Sequence, residues 1–171
     1  MDETTVSLHP PLRRCWKKRG QRKSIPAPGT PEYVHVFGAY NWRNSEVAWR
    51  IDRKKNSEAF IAFLEQLTLT DYPRQRLILV LDNASYHKSK TVRAALSALE
   101  DRVFVFWLPK YSPFLNPIER FWLHLKNLVV ANRLHHSLAD LLTALEQTLA
   151  NQNLPHHPNR LVFADEFRLL A

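Results

Sequence analysis

The sequence holds a single cysteine, Cys15, so the chain can close no disulfide on itself and can build no cysteine-rich zinc site. No apolar run approaches the roughly 18 residues needed to cross a bilayer, and no apolar signal core follows the basic N-terminal stretch. Internal repeats and low-complexity segments are missing too, which excludes solenoids and compositional linkers. Acids are scarce at one end. Residues 1–55 carry twelve Lys and Arg against five Asp and Glu, whereas the other 116 residues carry twelve against eleven. Nearly all of the formal +8 charge therefore lies in the first third. Such asymmetry points to a polyanionic partner and gives no reason to invoke a membrane, so a cytoplasmic protein is expected.

The chain does have aromatic and aliphatic bulk, with 45% apolar residues, five Trp and nine Phe in 171 residues, enough for one packed domain. Its positive charge is densest at Arg13, Arg14, Lys17, Lys18, Arg19, Arg22 and Lys23, a run with no acid inside it and with Trp16 among its members. Contact with nucleic-acid phosphates suits that run better than a merely solvated loop does.

Hydrophobic periodicity orders the elements. Residues 33–40 and 46–51 are rich in β-formers and flank turn residues 41–45, which predicts a hairpin. Helical spacing of Phe60, Ile61, Phe63, Leu64 and Leu67 predicts an amphipathic helix over 57–69, capped by Asn56 or Ser57. Residues 76–82 form a near-continuous apolar run ending in Asp82, the pattern of a central strand buried on both faces. A helix over 89–99 and a strand over 103–108 complete a β-α-β order that implies parallel pairing. Helices from Pro117 to about Val130 and from about Leu138 to Asn151 follow. The fold class is α/β, a mixed sheet flanked by helices, with residues 1–150 as the main domain and 151–171 as a tail that packs on it or extends it.

Two acids invite a chemical reading, and each has an ordinary one. Asp82 leaves an apolar strand into the polar loop Asn83-Ala84-Ser85-Tyr86-His87, where open α/β sheets bind ligands, yet Asp-Asn also serves as a plain turn. Glu119 lies three residues after Asn116, with Pro117 between them, which matches a capping box as well as a metal ligand. Asn83 and His87 are near enough to Asp82 to contact substrate or orient water, and equally suited to a solvated loop. The pairs His135-His136 and His156-His157 are poor chelators, because adjacent residues on a helix point about 100° apart. Trp107, Phe121 and Trp122 read most simply as core, with stacking on an extruded base as the alternative.

The string Leu108-Pro109-Lys110-Tyr111-Ser112-Pro113-Phe114-Leu115-Asn116-Pro117-Ile118-Glu119-Arg120-Phe121-Trp122 follows Asp82 with 36 residues between Asp82 and Glu119. It resembles the third-acid motif of mariner-like transposases, in the bacterial insertion-sequence branch that carries the DDE superfamily endonuclease domain. Leu81-Asp82-Asn83-Ala84-Ser85-Tyr86-His87 resembles the second-acid motif. Asp2-Glu3, followed by Ser7-Leu8-His9-Pro10 and by Trp16, Arg19 and Gly20, resembles the first.

The resemblance implies a ribonuclease-H-like fold and a catalytic and metal-binding triad of Asp2, Asp82 and Glu119. Carboxylates are hard oxygen ligands suited to Mg²⁺ or Mn²⁺, and two ions are expected. The implied activity is metal-dependent DNA strand cleavage and strand transfer in cut-and-paste transposition. The implied partners are double-stranded DNA, at both transposon ends and target, and either a second copy of the chain or an upstream-frame product. Full-length relatives place a helix-turn-helix reader of the terminal repeats ahead of the first acid, which here is residue 2. The first strand is therefore expected to be truncated, and the chain to be the downstream part of a split, frameshifted or decayed element. The competing readings are an inactive remnant that binds DNA without sequence preference, and a cellular metal nuclease on the same fold. Against the latter, a generic nuclease has no need of the Pro-Lys-Tyr-Ser-Pro and Asn-Pro-Ile-Glu strings.

Overall fold

The computed structural model describes residues 1–162 apart from Lys23, Ala27, Pro28, Thr30, Tyr111, Pro113 and Phe114. Among the described residues, five strands and four α-helices follow the predicted order. Strand β1 (Asp2–Ser7) pairs antiparallel with β2 (Tyr33–Asn41), and β2 pairs antiparallel with β3 (Glu46–Asp52) across the turn at 41–45. Strands β4 (Leu77–Leu81) and β5 (Val103–Trp107) pair in parallel. The two hydrogen-bonded sets meet where the Met1 ammonium donates to the Val80 carbonyl at 2.9 Å.

Helix α1 (Ser57–Gln66) begins where predicted, because the Asn56 side chain accepts from the Ala59 N–H. It ends sooner than its apolar periodicity suggests. Residues Leu67–Asp71 widen into a π-turn, in which the buried Thr68 hydroxyl donates back to the Leu64 carbonyl at 2.9 Å. Helix α2 (Lys90–Ala98) is capped by Ser89, and α4 (Leu138–Gln152) by a reciprocal box between Ser137 and Asp140. Helix α3 (Ile118–Val129) starts without such a box: its first turn follows Pro117, and no side chain caps it. The predicted capping role of Asn116 and Glu119 is thus corrected, and Glu119 is left exposed in the first helical turn.

Alternation in the strands sorts the core into two clusters. Val6, Val34, Val36 and Val47 face α3 and α4, where Phe121, Leu125, Leu141 and Leu145 cover them. Phe37, Leu79, Leu81 and Val103 face α1 and α2, against Phe60, Phe63, Leu64 and Val92. Full burial of each such side chain is worth about 1.5–3 kcal/mol, so these layers fix which strand residues point toward which helix.

The expectation that the apolar run into Asp82 is buried on both faces does not hold. Leu79 and Leu81 are buried, but Ile78 is 75% exposed, and its neighbours on β5, Phe104 and Phe106, are 52% and 61% exposed. Helices α1 and α2 cover one side of β4 and β5, and no described element lies over the other. Trp107, read from sequence as core, is 37% exposed and has the Lys88 ammonium 5.4 Å above its ring.

Candidate active site

Asp2 belongs to β1, and its registered partner on β2 is Gly38. A Cβ at Gly38 would overlap the Trp122 ring, so the missing side chain is what lets the indole lie across the sheet at this point. The Trp122 Nε1–H then donates to Asp2 Oδ2 at 3.0 Å, in a buried contact between the first strand and the first turns of α3. Asp2 is only 8% exposed, and burial together with the negative charges of Glu3, Glu119 and Asp82 raises its pKa to about 6, against the lowering effect of the Glu3 backbone N–H.

Asp82 sits just past the end of β4, where its Oδ1 accepts from the Ala84 N–H at 3.0 Å in an Asx-like turn. The same oxygen lies 3.0 Å from His87 Nδ1, and the imidazole holds the Asp82 carboxyl below its usual range. The side chain remains 48% exposed. Glu119 is exposed at the N-terminus of α3, where the helix dipole favours a carboxylate without consuming its oxygens. Residues 2, 82 and 119 thus come from three elements and crowd one another electrostatically at Asp2. Among the described residues, however, no three His, Cys, Asp or Glu side chains close tightly enough around one point to form a finished metal cage.

The donor set still suits a divalent cation. All three are hard oxygen ligands, and Asp2 resists ionisation because of burial and its acidic neighbours, a penalty that a cation removes. Half-buried Lys126 lies two helical turns after Glu119 on α3. Burial lowers its pKa, while Glu119 and Asp2 pull the other way.

Sequence places His87 in a loop, solvated or in contact with substrate, but the ring is fully buried. Its Nε2 lies 2.9 Å from Glu3 Oε1. Although burial disfavours the charged ring, the nearby carboxylates of Asp82 and Glu3 prevail, and its pKa rises to about 9. Asn83 is engaged in holding the loop. Its amide donates to the Leu108 carbonyl at 2.5 Å and its oxygen accepts from Lys88. Sequence reasoning misses Glu3, Tyr86, Lys55, Gly38 and Trp122 as site residues. Strand alternation could have flagged Glu3, since it must face opposite to Asp2, and Gly38 could have been flagged as a glycine inside a strand.

The basic run lies in the long connection between β1 and β2. Arg13, Arg14, Lys17, Lys18, Arg19 and Arg22 are all exposed, as is Trp16 at 102%; Lys23 lies outside the described residues. The connection is pinned just after α3 by Asn132, in the left-handed region at φ 58°. Its side chain accepts from the Arg13 N–H at 3.0 Å and donates to the Arg13 carbonyl at 3.1 Å, while its own N–H donates to the Pro11 carbonyl at 3.1 Å.

Residues 1–142 match the family model for the DDE superfamily endonuclease. The chain belongs to this family. This DDE endonuclease domain is 30% identical over 141 residues to an uncharacterized 39 kDa protein of insertion element IS630 from Shigella sonnei, covering 82% of the chain and 41% of that protein. It is 24% identical over 111 residues to an uncharacterized protein of Sinorhizobium fredii, covering 65% of the chain and 78% of the relative. Its fold is similar to the Mos1 transposase in a paired-end complex with the left transposon end, with a TM-score of 0.67, 20% identity, and coverage of 87% of this chain and 46% of that one. The isolated catalytic domain of Mos1 mariner transposase superposes with a TM-score of 0.59 at 18% identity, over 75% and 65% of the respective chains. The ribonuclease-H-like architecture and the mariner-like resemblance are thereby established, and the domain spans under half the length of the IS630 protein and of Mos1 in that complex. No helix among the described residues is long and apolar enough to cross a membrane.

Proposed function

We propose that this domain carries out metal-dependent DNA strand cleavage and strand transfer in cut-and-paste transposition, with Asp2, Asp82 and Glu119 as the ligands of two Mg²⁺ or Mn²⁺ ions. What supports this reading is that the carboxylates at the end of β4 and in the first turn of α3 are near enough to Asp2 on β1 to help raise its pKa. Mos1 has been solved in a mariner paired-end complex with Mn, which supports the choice of cation. Bound divalent metal would supply charge neutralisation at the phosphoryl oxygens and a more acidic attacking water.

The chain's own residues do the rest. Trp122 fixes Asp2, and Glu119 is presented free of any cap. In the first reaction water displaces the 3′-oxygen at phosphorus and breaks the phosphodiester at the element end. In the second the freed 3′-hydroxyl displaces an oxygen at a target phosphodiester. Each is an in-line exchange of one P–O bond for another, so one acidic site serves both. The exposed basic connection would hold DNA by its phosphates, which fixes position without reading sequence. Mos1 is also described in a strand transfer complex, and a second copy of this chain is the proposed assembly partner.

The test is metal-dependent cleavage and strand transfer by the complete reading frame. Asp82→Ala and Glu119→Ala are each expected to reduce both reactions to background while DNA binding persists. Folded variants that still cleave would overturn the triad. A wild-type protein that binds DNA through the basic connection but never cleaves would favour the inactive remnant.

A further inference from the structure

Asp2 and Glu3 are neighbours on β1, and alternation sends them to opposite faces. Asp2 meets Trp122. Glu3 enters a separate cluster beneath the turn that follows β4, with its side chain 1% exposed. There it accepts from the Tyr86 hydroxyl, lies 2.9 Å from His87 Nε2 and has the Lys55 ammonium at 3.7 Å. The His87 ring packs against Phe60 and Tyr86, whose ring centroids each lie 4.4 Å from its own. One nitrogen is thereby anchored. The other, Nδ1, lies 3.0 Å from Asp82 Oδ1 but off the hydrogen-bonding line, and has no other partner among the described residues.

A buried ring nitrogen left unpaired costs about 1–3 kcal/mol, and a small rotation of the half-exposed Asp82 removes that cost. The anchored ring therefore acts as a fixed stop for the half-exposed carboxylate. We infer that Glu3, His87 and Asp82 form a carboxylate–imidazole–carboxylate brace, in which His87 positions Asp82 Oδ1 and leaves the other oxygen for a divalent cation. The inference rests on the reading of Asp82 as a metal ligand. His87 is a positioning residue, reaching neither substrate nor metal, and Glu3 orients it from behind. Ordering the carboxylate before the cation arrives lowers the entropic cost of capture.

A purely structural role would tie β1 to the turn after β4 without affecting the metal. The two roles separate by which nitrogen is kept. Asn in place of His puts its amide nitrogen close to the Nδ1 position and keeps the Asp82 contact. Gln reaches the Nε2 position and keeps the Glu3 contact. Mn²⁺ dissociation constants of the full chain, measured by titration calorimetry beside thermal melting, are the readout. His87→Gln is expected to weaken Mn²⁺ by roughly 10- to 100-fold, with His87→Asn recovering most of that loss. Equal Mn²⁺ affinities for the two variants would overturn the brace. Should either variant fail to fold, the wild-type ¹⁵N resonances of His87 decide: a shift of Nδ1 on Mg²⁺ addition supports the brace, and an unmoved Nδ1 overturns it. Asp82→Asn separates the two levels. If it leaves Mn²⁺ binding intact, or if the wild type binds none, the metal-site reading itself fails. If it abolishes binding while His87→Gln does not weaken it, only the brace fails.

Discussion

The acidic cluster and the basic connection, both assigned to a nucleic-acid substrate in the proposed function, are built in opposite ways. Asp2, Glu3 and His87 are buried and held by partners from distant parts of the chain, such as Trp122 and Tyr86. Along residues 12–22 every side chain is exposed, and the backbone is held chiefly by Asn132 at one end. Chemistry at phosphorus needs ligands fixed to within a fraction of an ångström, and burial with cross-bracing supplies that. Long-range attraction to phosphate needs only charge near the surface, so a loosely held segment suffices.

If this contrast is right, the largest effects belong to the acidic cluster. Gly38→Ala pushes a methyl into Trp122 and, through the indole, releases Asp2 Oδ2. It should cost about 1–3 kcal/mol in urea unfolding, the usual penalty for overpacking a tight core. A Gly38→Ala protein as stable as the wild type would show that the indole has room to move, and that Asp2 is less firmly held than its burial implies.

The next effect is a pH dependence with a definite sign. The pKa of His87 rises from 6.5 to about 9 on folding, so its contribution to stability is complete below pH 6.5 and is lost as pH climbs through about 9. Asp2, raised from 3.8 to about 6, acts in the same direction over a lower window: folding favours its protonated form, and that advantage disappears as pH rises through about 6. The metal-free melting temperature should therefore decline in two stages between pH 4 and pH 10, as pH rises through about 6 and again through about 9. The buried Met1 ammonium, lowered to about 6, opposes the decline between pH 6 and 8. Saturating Mg²⁺ should flatten the lower stage, because a cation replaces the proton at Asp2. A melting temperature that rises with pH all the way from 4 to 10 would contradict both assignments.

The smallest effect on stability, and the sharpest on binding, is expected in the basic connection. Replacing Arg13, Arg14, Lys17 and Lys18 together by Gln should change stability by no more than about 0.5 kcal/mol, as at other exposed sites. The dependence of DNA affinity on salt should become shallower, by about 0.9 in log–log slope for each phosphate that the protein no longer neutralises. Unchanged salt dependence, measured by fluorescence anisotropy at several ionic strengths, would place the DNA-binding surface elsewhere.

Local sequence already contained much of this protein. The hairpin, the cap at Asn56, the parallel β-α-β order and the acids at 2, 82 and 119 follow from periodicity, turn chemistry and motif strings, because each depends on residues close together in the chain. Three readings failed for a common reason. The exposed side of Ile78, Phe104 and Phe106, the uncapped start of α3 and the burial of His87 all depend on what lies across space. An apolar run does not say how many of its faces will be covered, and an Asn-Pro-Ile-Glu string does not say whether its carboxylate turns back to a backbone N–H or out toward a pocket.

Sequence by itself determined which carboxylates exist, in what order, and that the positive charge is concentrated in the first third of the chain. Only the tertiary structure decided that Asp2 and Glu3, adjacent on one strand, serve different clusters. Strand alternation separates their side chains, and the environments they then meet, Trp122 on one face and Tyr86 with His87 on the other, lie 120 and more than 80 residues away along the chain.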